Sequence, residues 1–122
     1  MKNFKIAIAS LVLIVGCWIG FKDYRCRRRN DVFGKQIEDF RRDAREKLKA
    51  GTKQAELSRF FEEHHANLRI VESEAFGTVL TRGCAPLGCS TDAAIISIRV
   101  KLDKSGSVQE ASVISGMYTN CL

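Results

Sequence analysis

Proline occurs once in this 122-residue chain, tryptophan once, and the only two histidines are adjacent. A single proline excludes a collagen-like or polyproline rod and leaves no Pro-rich linker to divide the chain into domains. No Gly-rich loop leads into a Lys-Ser or Lys-Thr pair, and no serine sits in a Gly-x-Ser-x-Gly elbow, so phosphate cradling and nucleophile-elbow hydrolysis have no sequence support. The histidines follow Glu62-Glu63, which is not the His-Glu-x-x-His order that puts two metal ligands on one helical face. His64 falls on an apolar stripe and reads as a packed imidazole; His65 falls off it and reads as a solvated one. Internal repeats and low-complexity tracts are also lacking. With 45% hydrophobic and 28% charged residues, the chain has the balance of one small globular domain.

Excess charge is lacking too, outside one segment. The net charge is +6. Residues 1 to 29 carry Lys2, Lys5, Lys22, Arg25, Arg27, Arg28 and Arg29 against Asp23 alone, which accounts for all of it; beyond them 13 basic and 13 acidic groups cancel. Nucleic-acid binding needs cations clustered on the folded face to release counterions from phosphates, so a neutral domain excludes it.

What is present is a long apolar run. Ile6 to Phe21 holds 16 residues without a charge, about 24 Å of helix against a hydrocarbon core of roughly 30 Å. Snorkelling by Lys5 and Lys22 and local thinning can absorb the shortfall. The expected division is a basic n-region over residues 1–5, a transmembrane anchor or signal segment over 6–21, a basic juxtamembrane linker over 22–30 and one domain over 31–122. Lys22, Arg25, Arg27, Arg28 and Arg29 are expected on anionic headgroups. The expected location is a bacterial inner membrane with the domain in the periplasm. The positive-inside rule pulls weakly the other way, toward a domain facing the cytoplasm with free or zinc-bound thiols.

Ile14-Val15-Gly16-Cys17 resembles the lipobox of bacterial lipoproteins, which implies lipidation at Cys17. Two features depart from that pattern: Ile stands where Leu is usual, and Trp18-Ile19-Gly20-Phe21 keeps the segment apolar past the cysteine. The alternative is that Cys17 is a small apolar residue in an uncleaved anchor.

Beyond the anchor the expected fold class is α+β. Phe33, Ile37, Phe40, Ala44 and Leu48 step by three and four, so a helix capped by Asn30 or Asp31 should run to about Ala50. Gly51 should stop it, and Thr52 should cap a second helix bearing Leu57, Phe60, Phe61 and His64 to about Ala66. Residues 68–72, 76–81, 94–102 and 108–115 read as strands of a three- to four-stranded antiparallel sheet, with the last two joined through the turn residues Asp103 to Ser107. Glu72 and Glu74 should then share a strand face. The Gly51-Thr52 helix start, Glu56-Leu57, Phe60-Phe61 and the hairpin together resemble small bacterial envelope domains of the BamE and β-lactamase-inhibitor-like type. That resemblance implies a protein-binding accessory or inhibitory module rather than an enzyme; the expected partners are another envelope protein and, through the apolar and basic segments, membrane lipid.

Five cysteines complete the inventory. Gly83-Cys84-Ala85-Pro86-Leu87-Gly88-Cys89 can bend back on itself, so Cys84 to Cys89 is the expected disulfide in an oxidising compartment, leaving Cys26 for Cys121; Cys89 to Cys121 is the competing pairing. Reduced cytosolic thiols, or zinc held with His64 or His65, are the other readings. No catalytic residue, cofactor or metal ligand is assigned, and a small hydrolase or redox enzyme is kept only as a remote alternative.

Overall fold

The structure, a computed structural model, describes all residues except 111 and 112, and all side chains but theirs and that of Lys2. Its first element, α1 (Lys2–Lys47), is one helix of 46 residues, about 69 Å long at 1.5 Å per residue. The linker expected over residues 22–30 and the helix start at Asn30 or Asp31 are both absorbed into it. The physical reason is local: no proline or glycine interrupts residues 21–33, arginine and lysine are strong helix formers, and extending a helix avoids a second nucleation cost. Asp23 supports the junction through its ion pair with Arg27 one turn later, 3.1 Å away.

The helix ends at Lys47, with Arg45 and Lys47 in its last turn complementing the negative end of its dipole. Gly51 supplies the left-handed conformation (φ 90°) that reverses the chain. The turn is pinned from outside: Gly51 donates its amide to the Val108 carbonyl (2.8 Å) and Val108 donates to the Thr52 carbonyl (2.9 Å). Thr52 does not cap the next helix as expected. Its hydroxyl donates backward to the Lys49 carbonyl at 2.6 Å, and α2 (Gln54–Glu63) starts after Lys53 without a side-chain cap. The helix stops short of Ala66 because His65 enters the left-handed region.

Four strands follow, β1 (Asn67–Val71), β2 (Glu74–Arg82), β3 (Ala93–Lys101) and β4 (Val113–Tyr118). They form one antiparallel meander in chain order. Glu72 does not share a strand face with Glu74; it occupies the two-residue turn between β1 and β2 at φ 54°. The expected fourth strand over 108–115 is shifted. Val108 makes only an isolated bridge to Leu102, while Asp103 gathers the Ser105 and Ser107 amides (2.8 and 3.0 Å) into a tight turn. Residues 111 and 112, in the middle of that expected strand, lie outside the described ones.

The alternation on β3 works as the period of two requires: Ala94, Ile96, Ile98 and Val100 are buried and the residues between them are not. This face meets Phe33, Phe40, Ala44 and Leu48 of α1 and Leu57, Phe60 and Phe61 of α2 in one core, with Ile37 packed against it. Two glycines set how close the layers come. The Phe61 ring occupies the space a Gly77 side chain would need, and Ile37 and Phe33 fill that above Gly116. The architecture is a helical layer on one face of a four-stranded sheet, with the apolar half of α1 projecting beyond it and wholly unburied by the domain.

Candidate membrane-proximal site

Most of the chemistry-bearing residues gather where α1 leaves the apolar run. Cys26, five residues past Phe21, forms a disulfide with Cys84, just beyond β2. One turn further along the helix, Asn30 Oδ1 accepts from the Cys84 amide at 2.9 Å and from the Tyr118 hydroxyl at the end of β4. The Tyr118 ring packs on Phe33 with centroids 5.5 Å apart. Thr81 donates to Gln36 Oε1 at 2.8 Å. Helix and sheet are thus joined at this end by a covalent bond surrounded by hydrogen bonds.

The loop 83–92 is ordered by Asp92, whose carboxylate accepts from the Ala85 amide (3.0 Å) and pairs with Arg29 (3.4 Å). Cys89 bridges to Cys121, flanked by the Ser90 amide on the Asn120 carbonyl (3.0 Å) and the Leu122 amide on the Gly88 carbonyl (3.2 Å). The expected Cys84–Cys89 bond is therefore replaced by Cys26–Cys84 and Cys89–Cys121. The loop does not close on itself because its two ends have separate neighbours: Cys84 leaves β2 against α1, whereas Cys89 pairs in extended conformation with the C-terminus. Nothing in the spacing of residues 84 and 89 signals the α1 partner; only the second pairing had been a competitor. With four thiols consumed, Cys17 is the free one, exposed in the apolar run. Among the described residues no group of three or more Cys, His, Asp and Glu is placed to hold a metal ion.

The basic residues of this segment divide by partner. Lys22 lies over the Trp18 ring (4.6 Å) and Arg25 over the Phe21 ring (5.5 Å), both cation–π contacts. Arg27 is paired with Asp23 and Arg29 with Asp92. Among the described residues, Arg25, Arg28 and Arg82 have no carboxylate within 4.0 Å. These three, with Arg29, wall a groove of about 400 Å³ whose floor is Phe21, Tyr24 and Val32. Sequence reasoning placed the helical arginines at a membrane surface but missed Arg82, which reaches them only through the fold.

Away from this end, His64 is half-buried between Phe40 and Phe60, with ring centroids 4.3 and 4.6 Å away, and its Nε2 lies 2.7 Å from Asp43; His65 is exposed. Lys47 donates to Glu63 at 2.8 Å, and that hydrogen bond together with the ammonium charge holds the Glu63 carboxyl below its ordinary range. A cavity of about 310 Å³ adjoins His64, but the only hydroxyl among its lining residues, that of Thr81, is donated to Gln36. The His–Asp pair has no nucleophile to activate there.

The outer face of the sheet carries no helix. Leu80, Ile95 and Met117 stand side by side across three strands, with Leu80 82% and Met117 53% exposed. Phe76 and Val113 flank Arg99 four residues further along.

No protein-family model, curated protein or solved structure matches this chain.

Proposed function

We propose that the chain is a single-span bacterial envelope protein whose disulfide-clamped α+β domain stands on the periplasmic face of the inner membrane and docks another envelope protein without catalysing a reaction. The observation that carries this reading is the Cys26–Cys84 bond. It joins the folded domain to the helix immediately past the apolar run, and a disulfide of this kind persists in an oxidising compartment. The apolar run supports the membrane anchor, being 16 uncharged residues of helix that the domain leaves unburied. The bare row of Leu80, Ile95 and Met117 supports docking, since apolar side chains aligned across an uncovered sheet are what a partner surface buries. The basic segment on that side is accommodated by contact with anionic headgroups, which works on either face of a bilayer.

Thiol labelling of intact cells, followed by non-reducing gels, tests the compartment. Four disulfide-bonded cysteines are expected to stay unlabelled, with Cys17, inside the bilayer on this reading, reacting only after denaturation. Five free thiols that label only after lysis would place the domain in the cytoplasm and overturn the reading. Docking is tested by a photo-crosslinking residue at position 80: an adduct of defined mass, lost when Met117 is changed to Glu, is the expected result, and no adduct at 80 or 117 removes the sheet face from consideration.

A further inference from the structure

We infer that the groove between α1 and the end of β2 is a binding site for the phosphodiester headgroup of an anionic phospholipid, held by Arg25, Arg28 and Arg82. The inference deepens the membrane-anchored reading and rests on it. Charge is the first argument. Three guanidiniums without a carboxylate partner converge on one groove of about 400 Å³, where like charges repel unless an anion neutralises them, and guanidinium forks match the oxygens of a phosphate.

Depth is the second. Counting from Phe21, the last residue of the apolar run, the rise of the helix lifts Arg25 by about 6 Å and Arg28 by about 10 Å. The polar layer outside the hydrocarbon core is roughly 5 to 7 Å thick on each side, so Arg25 stands within it and Arg28 a few ångströms outside, from where a long flexible side chain reaches the phosphates. Its floor fits the same ligand: Phe21 and Tyr24 offer an aromatic, half-apolar surface at the boundary, where a lipid passes from ester to acyl chain.

Arg82 makes this a formed site rather than a basic helix lying on charge. It comes from the folded domain, 57 positions from Arg25 in sequence, and the neighbouring Cys26–Cys84 bond holds its strand end against the helix. A diffuse layer of headgroups would respond to the number of cations; a formed site responds to which cation is removed.

The test uses the full chain reconstituted in phosphatidylcholine vesicles containing a minority of phosphatidylglycerol, then extracted and weighed by native mass spectrometry to count retained anionic lipid. Retention of phosphatidylglycerol over phosphatidylcholine is expected to fall about five-fold in Arg82→Gln, the worth of one cation at an anionic surface, and to stay unchanged in Arg27→Gln, whose side chain pairs with Asp23. Both variants are checked for intact disulfides, so loss of the fold is not read as loss of the site. Equal retention in wild type and Arg82→Gln overturns the proposal. An equal fall in Arg27→Gln does so as well, because it would show charge counting. Release of the lipid by inorganic phosphate would make the ligand a free anion and overturn its assignment to lipid. A chain that alkaline carbonate strips from the vesicles overturns the anchor itself, a failure distinct from loss of the groove in a carbonate-resistant chain.

Discussion

Removing the Cys26–Cys84 bond should cost the domain a large share of its stability. The bond spans 58 residues of chain, and closing a loop of that length restricts the unfolded ensemble by about 4 kcal/mol at 25 °C on the chain-entropy estimate. The Cys89–Cys121 loop spans 32 residues and gives about 3.7 kcal/mol in the same way. The two loops do not overlap, so the contributions should add to a sum comparable with the roughly 5 to 15 kcal/mol that holds a small domain together. A domain this size loses about 4 to 8 °C of melting temperature per kcal/mol. Cys26→Ala with Cys84→Ala should therefore lower the midpoint by roughly 15 to 30 °C.

Because the apolar part of α1 should stay helical in detergent after the sheet unfolds, circular dichroism alone should understate the transition. Pulse proteolysis of the detergent-solubilised full chain in urea reports on the domain directly. The pairing is checked in the same preparation: Cys84→Ala alone should release Cys26 to thiol reagents and leave Cys89 protected. If it releases Cys89, the loop bonds to itself, the strand-to-helix clamp does not exist, and the reasoning about the membrane-proximal end fails with it. A double variant whose midpoint stays within a few degrees of wild type would refute the magnitude.

Gly116→Ala should destabilise by about 1 to 3 kcal/mol, because Ile37 and Phe33 already fill the space of the new methyl, whereas Gly34→Ala, in open space on α1, should stabilise by about 0.5 to 1 kcal/mol; urea midpoints separate the two. Glu63 and Asp103 both have depressed carboxyl pKa values, the first through the Lys47 hydrogen bond and the second through the Ser105 hydroxyl and the Ser107 amide. Their contribution should be complete above the ordinary carboxylate range of about 4 and be lost as pH falls through the depressed values; Glu63→Gln with Asp103→Asn should flatten the acid limb of the stability profile. Cys17→Ala should change the intact mass by the substitution alone if the anchor is uncleaved, and loss of acyl label together with retention of residues 1–16 in that variant would establish lipidation instead.

The core was legible because it is periodic. Phe33, Ile37, Phe40, Ala44 and Leu48 share one helical stripe, and Ile96, Ile98 and Val100 one sheet face, so local spacing alone fixes which side of each element is buried. Legibility failed where the deciding partner was remote. Lys22 to Arg29 is polar on every side and reads as a linker, yet its helical state follows from the helices on both flanks, which no window confined to those eight residues contains. Thr52 has the side chain of a cap, but the Lys49 carbonyl left open by the end of α1 competes for its hydroxyl.

The cysteines show the same limit in its sharpest form, and their pairing is what changes the meaning of the basic segment. A Cys84–Cys89 bond would have stiffened a loop and left the end of β2 without a covalent tie to α1. With Cys84 bonded to Cys26 instead, that end is fastened to the stem: the helix that bears the apolar run is the helix on which the sheet packs, and the bond joins the two. On the proposed membrane-anchored reading, a rigid stem fixes which residues of the domain sit at headgroup depth, so Arg82 would meet the lipid surface by construction rather than by chance collision. The positive charge then belongs to a surface assembled from two distant parts of the chain, and breaking Cys26–Cys84 should weaken lipid retention and domain stability together, while Cys89→Ala with Cys121→Ala lowers stability and spares the Arg25–Arg82 groove.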